Sequence, residues 1–107
     1  MLETEIVLHR AGITSNYKGY WLLNSAIDIL MENPEAKDNI VDVVYKTLAK
    51  QFEISAVSVE RNIHTAIKRR WEVAPERLNS ALDRKRIWRP TASEFIFLVL
   101  EKLKNDI

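Results

Sequence analysis

The sequence contains no cysteine, which excludes disulfide bonds and thiolate metal sites. It has two glycines and three prolines in 107 residues, so no flexible linker divides it. No run of about 18 apolar residues occurs, and therefore no transmembrane helix is predicted. The first residues, Leu2-Glu3-Thr4-Glu5, lack the basic-then-apolar order of a signal peptide. We expect one domain over residues 1–107, not bound to a membrane, in a reducing, cytoplasmic compartment.

Motifs for catalysis are missing as well. The chain has no nucleophile elbow, no glycine loop that would cradle a phosphate and no helix with metal-ligand spacing. Its two histidines, His9 and His64, have no ligand pattern around them. We therefore expect no enzymatic activity, no metal ion and no cofactor.

The positive charge is concentrated in one part of the chain. The net charge is only +1, but residues 57–90 carry nine Lys/Arg against four Asp/Glu, whereas residues 1–56 carry five against eight. A local basic region of this kind is typical of proteins that bind a polyanion. Lysines and arginines that merely solvate a helix face are the alternative.

Apolar residues recur at helical spacing along most of the chain, which predicts six helices and no sheet. The predicted helices cover about 2–11, 17–32, 40–51, 56–73 and 75–82, and the sixth follows the capping box Thr91-Ala92-Ser93-Glu94. The apolar run after this box could also be a buried strand, but the box favours a helix. Gly12 is expected to end the first helix, and Gly19 to mark a close helix crossing. The predicted fold is an all-α, six-helix bundle containing a helix-turn-helix, winged-helix-like but without a β wing.

The helix-turn-helix is predicted over residues 43–71, with the turn at 52–55. One apolar stripe lies on each helix, and Ile54 in the turn is expected to face the same core. The stripes are Val44, Leu48, Ala49 and Phe52 on the first helix, and Val59, Ile63, Ala66 and Ile67 on the second. Ser55 suits the N-cap of the second helix, because its hydroxyl can accept a hydrogen bond from a first-turn N–H.

The side of the second helix opposite its apolar stripe carries side chains that can read DNA bases. Arg61 can bond bidentately to guanine O6 and N7, and Glu60 can accept from cytosine N4 or orient Arg61. The candidate base-reading residues are Ser58, Glu60, Arg61, His64 and Thr65. A solvated helix face is the alternative reading, although such a face usually alternates its charges more evenly.

Two groups of basic residues are candidates for contacts to DNA phosphates, which position a protein without specifying sequence. They are Lys68, Arg69 and Arg70 on the second helix, and Arg84, Lys85 and Arg86 further along the chain. The predicted function is a sequence-specific, double-stranded DNA-binding transcriptional regulator that reads the major groove with the helix 56–72. The alternative is a helical protein–protein interaction module that docks an acidic partner through the basic region 61–89.

Several short segments, in order and at consistent spacing from about Ile13 to Leu103, are similar to one family. They are Lys18-Gly19-Tyr20, Leu48-Ala49-Lys50-Gln51-Phe52, Val59-Glu60-Arg61, Ala66-Ile67 with Trp71, and Pro90-Thr91-Ala92-Ser93-Glu94-Phe95-Ile96. In these segments the chain resembles the C-terminal effector domain of the sporulation-initiation response regulator, the sporulation stage-zero A protein family.

The resemblance implies an all-helical domain that reads short promoter boxes, often as tandem subunits, to activate or repress transcription. It implies a place at the DNA interface for Glu60 and Arg61. It also implies tandem or dimeric self-association on DNA and contact with RNA polymerase. The chain departs from the family pattern at Ser58, His64 and Thr65, so the family's DNA sequence does not carry over. No segment resembles the family's receiver domain, which leaves open an excised domain or a stand-alone relative.

Overall fold

The computed structural model describes residues 2–86 and 88–105, and these ranges contain six α-helices and no strand. The α-helices are α1 (Leu2–Ala11), α2 (Lys18–Glu32), α3 (Lys46–Phe52), α4 (Ala56–Val73), α5 (Pro75–Leu82) and α6 (Ala92–Asn105). The all-α prediction is confirmed, and the described part of the connection between α5 and α6 forms no β wing.

The residues predicted to end or begin helices do so in the structure. Gly12 follows α1 with a φ of +91°, a conformation that glycine adopts without steric cost. Pro75 is the first residue of α5, where its missing N–H leaves no hydrogen bond unmade. The capping box also forms: Thr91 Oγ1 accepts from the Glu94 N–H at 3.1 Å, and Glu94 Oε1 accepts from the Thr91 N–H at 2.9 Å.

The segment before α3 differs from the prediction. Residues predicted as a loop form a 3₁₀ helix, Pro34–Asn39, and the chain continues as a π-helical segment, Ile40–Tyr45, before α3 begins at Lys46. The 3₁₀ helix buries Ala36 against the core, which a loop would not require. Apolar spacing could not reveal the π-helical segment, because its side-chain period differs from that of an α-helix by less than one residue per turn.

Helix α4 lies against α2, and Gly19 allows the two backbones to approach closely. A Cβ atom at Gly19 would lie 2.6 Å from the carbonyl oxygen of Asn62 and 3.1 Å from the Cβ of Ala66. The expected close crossing at Gly19 is therefore confirmed. This contact fixes one side of α4 in the bundle and leaves the other side to solvent.

Two residues predicted to face the core are exposed. Phe52 is 38% exposed and Ile54 is 36% exposed. The reason is the sharp end of α3: Glu53 adopts a left-handed conformation with φ 56°, and the Ile54 N–H donates to the Ala49 carbonyl at 3.0 Å. Leu48 and Val59 on the flanking helices are fully buried, so the core is filled without the two turn residues.

Candidate nucleic-acid interface

The N-terminus of α4 is fixed by Ser55. Its backbone is extended, and its Oγ accepts a hydrogen bond from the Ser58 N–H at 3.0 Å. The same hydroxyl donates to Ser58 Oγ at 2.9 Å, so the Ser58 hydroxyl proton remains free to be donated elsewhere. The predicted N-cap is confirmed, and it sets the residue at which α4 begins.

The predicted apolar stripe of α4 is buried as expected. Val59, Ile63 and Ile67 are fully buried and Ala66 is nearly so. Since residues three and four apart share a helix face, burial of this stripe determines which residues of α4 point to solvent.

The side of α4 opposite the apolar stripe carries four of the five candidate base-reading residues, and we call this surface the outward face. Arg61, Lys68 and Arg69 are exposed there, and Ser58, His64 and Thr65 are half-buried. Glu60, the fifth candidate, is exposed as well, but it directly follows the buried Val59 and lies at the edge of the apolar stripe. The outward face is formed by Ser58, Arg61, His64, Thr65, Lys68 and Arg69. Its members span about three turns of one helix, which is long enough to follow a DNA groove.

The cations of the outward face are not neutralised within the chain. Among residues 2–86 and 88–105, no hydrogen bond or ion pair involves the side chains of Arg61, Lys68 or Arg69. Among the described residues Glu60 forms no ion pair with Arg61, so Glu60 does not orient Arg61 directly here, because the side chains of adjacent helix residues diverge. The guanidinium of Arg61 therefore retains all its donors for an external acceptor.

A shallow depression runs between α4 and the start of α6, and we call it the α4–α6 depression. It is lined by Val57, Glu60, Arg61, His64, Thr91 and Ala92. Thr91 and Ala92 were missed as neighbours of this surface by the sequence analysis. The capping box predicted where α6 begins, but only the tertiary packing brings that start beside Arg61.

Arg70 does not belong to the outward face. Its side chain is half-buried and packs against Gly12 at the end of α1, and its Nε is buried without a hydrogen-bond partner among the described residues. Position 70 follows Ile63 and Ile67 by seven and three residues, so it lies on the core side of α4. The structure therefore separates Arg70 from Lys68 and Arg69, and its contact to phosphate stays a prediction.

The second basic group is also partly engaged inside the molecule. Arg84 forms an ion pair with Glu101 of α6 at 2.5 Å, and Arg86 lies 3.5 Å from Glu94 and donates to the Trp88 carbonyl at 3.2 Å. Lys85 is exposed and, within the described residues, forms no ion pair. These contacts offset much of the positive charge that the sequence places at residues 84–86.

The carboxylates near this segment are held in their charged form. The hydrogen bond from the Thr91 backbone N–H, supplemented by the charge of Arg86, lowers the pKa of Glu94 below its usual value. The ion pair with Lys102 lowers the pKa of Asp83 in the same way. Both acids are therefore ionised near neutral pH and stay available to the neighbouring cations.

Neither a metal site nor a membrane span is found in the described ranges. No group of three or more His, Asp or Glu side chains gathers there in a metal-binding arrangement. None of the helices described is both long and apolar enough to cross a membrane.

The family model described as "Sporulation initiation factor Spo0A C terminal" matches residues 4–103. This range includes α2, α3, α4 and α5 completely and most of α1 and α6. The family consists of DNA-binding effector domains that regulate transcription. The all-helical fold, the predicted resemblance and the family match thus agree, and the chain belongs to the family of Spo0A C-terminal domains.

Proposed function

We propose that this chain is a sequence-specific, double-stranded DNA-binding regulator of transcription that inserts the outward face of α4 into the major groove. The observation that carries the proposal is the outward face itself: one side of the helix is buried in the core, and the other presents Arg61, Lys68 and Arg69, which have no partner among the described residues. An α-helix fits the major groove of B-DNA, where each base pair offers a distinct pattern of donors and acceptors.

Base reading is assigned to the N-terminal half of α4. Arg61, exposed and without an internal partner among the described residues, donates two hydrogen bonds to a guanine. Glu60 accepts from a cytosine, and Ser58 donates the hydroxyl proton that its bond with Ser55 leaves free. His64 and Thr65 complete the base-reading set on the next turn.

Phosphate contacts are assigned to the C-terminal half. Lys68 and Arg69 are exposed and lie about two turns beyond Arg61. Lys85 is exposed as well and is assigned the same role. Arg70, Arg84 and Arg86 would first have to leave their internal contacts, which makes their contribution smaller than that of Lys68 and Arg69.

The whole chain, residues 1–107, is proposed to act as one DNA-binding unit in the cytoplasm. A single module of this size buries about 600–1,000 Å² on DNA, which is at the low end for specific complexes. Tandem or dimeric association on DNA would add contact area, and contact with RNA polymerase would connect binding to transcription.

Selection of bound duplexes from a random DNA pool at about physiological salt tests the proposal. The expected result is enrichment of a short sequence that contains at least one guanine. Arg61→Ala should lose the preference for guanine at one position of that sequence. The exposed Lys37→Ala, on the 3₁₀ helix, is the matched control and should enrich the same sequence as the unmodified protein. A pool that remains random after several rounds would contradict sequence-specific binding and favour docking of an acidic protein through residues 61–89.

A further inference from the structure

Val57 occupies an unusual place for an apolar side chain. It lies in the first turn of α4, is 64% exposed and shares the α4–α6 depression with Glu60, Arg61 and His64. The other side chains that α4 contributes to this depression are polar or charged. An apolar, branched side chain is thus presented directly beside the groups assigned to base reading.

Neither folding nor helix formation accounts for this valine. It lies outside the core, and a β-branched residue is a weaker helix former than alanine. Single exposed apolar residues are common on protein surfaces, so exposure by itself carries little. The position inside the α4–α6 depression, next to Arg61, is what points to a ligand.

We propose that Val57 is a further specificity-determining residue, which packs its methyl groups against the 5-methyl group of a thymine. The inference rests on the proposed function, because it requires α4 in the major groove. Thymine is the one base that presents a methyl group there, and apolar side chains are the groups that contact it.

The helix geometry also predicts where this thymine lies. Val57 precedes Arg61 by four residues, which is about 6 Å along the helix axis. Successive bases of one DNA strand are about 3.4 Å apart along the duplex. The thymine read by Val57 is therefore expected one or two base pairs from the guanine read by Arg61.

The test replaces each thymine of the selected duplex in turn by deoxyuridine, which keeps base pairing and lacks only the methyl group. For the unmodified protein, one replacement within two base pairs of the Arg61-dependent guanine should weaken binding about fourfold, the effect of one lost methyl contact. Val57→Ala should bind the thymine and deoxyuridine duplexes equally. Val73→Ala removes another exposed valine, at the far end of α4, and should retain the full fourfold difference.

Three results would overturn the inference. One is that no thymine near the guanine is sensitive to loss of its methyl group, and another is that Val57→Ala keeps the sensitivity of the unmodified protein. Either would leave the proposed function intact, because a preferred duplex would still exist. If the selection yields no preferred duplex at all, the proposed function fails first and the role of Val57 fails with it. Thermal unfolding of both valine variants checks that an altered affinity does not reflect unfolding.

Discussion

At the scale of single residues, Lys68 and Arg61 lie about two turns apart on the outward face and have different expected roles on DNA. Lys68 is exposed, unpaired among the described residues and nearer the C-terminal end of α4. We expect Lys68→Ala to weaken binding to every duplex by a similar factor and to reduce the slope of log affinity against log salt by about one. Titrations at several salt concentrations measure both, and Lys37→Ala serves as the control. A loss confined to one base pair would contradict the phosphate role.

The contacts of individual side chains were the feature of the structure that the sequence predicted least well. The outward position of Arg61 followed from periodicity, because it depends only on the phase of one helix. The ion pair between Arg84 and Glu101 and the packing of Arg70 against Gly12 depend on which helices meet in the folded chain. Net charge counted along the chain therefore overstated the number of free cations near α4.

At the scale of elements, the crossing of α2 and α4 depends on Gly19. A Cβ atom there would lie 2.6 Å from the backbone carbonyl oxygen of Asn62. This oxygen belongs to the main chain of α4, so it cannot move aside as the end of a flexible side chain could. We expect Gly19→Ala to lower the free energy of unfolding by about 1–3 kcal/mol, although alanine favours the helix by about 1 kcal/mol. Urea unfolding measures the change, with the exposed Lys18→Ala in the same turn as the control. Equal stability of the Gly19 variant and the unmodified protein would mean that the helices do not cross this closely.

The capping box at the start of α6 makes the stability of the fold depend on pH. The Thr91 N–H and Arg86 lower the pKa of Glu94 in the folded state, so this carboxylate stabilises the fold above its unfolded pKa of about 4.3. The stabilisation is lost as pH falls through the folded pKa. Glu94→Gln keeps an acceptor for the capping box but no charge. The melting temperature of the unmodified protein should exceed that of Glu94→Gln at pH 7, and the difference should shrink towards pH 3. A difference that stays constant over this range would contradict the lowered pKa.

Helix boundaries that are marked by a capping side chain were predictable from the sequence, and the boundaries before α3, which lack such a side chain, were not. Ser55 and the Thr91–Glu94 box fixed the starts of α4 and α6 through side-chain hydrogen bonds to backbone N–H groups. The 3₁₀ and π-helical segments before α3 carry no such signal. The exposure of Ile54 depended on the left-handed Glu53, a conformation that is uncommon for glutamate and that the sequence did not indicate.

At the scale of the whole molecule, the bundle buries one side of α4 and leaves the other side exposed to solvent. Helix α2 and the N-terminus of α6 both contact α4, so the direction of the outward face is set by long-range packing. The family match over residues 4–103 covers this entire framework. On this framework, the outward face is proposed to enter the major groove, where Arg61 contacts O6 and N7 of a guanine.

The most direct test replaces each guanine of the selected duplex by 7-deazaguanine, which removes the N7 acceptor from the major groove and preserves base pairing. We expect one such replacement to weaken binding of the unmodified protein about tenfold, within the range of about 1–3 kcal/mol for a bidentate contact. The same replacement should leave the already weaker binding of Arg61→Ala unchanged. If no guanine is sensitive, or if Arg61→Ala loses affinity by the same factor, Arg61 does not read the major groove.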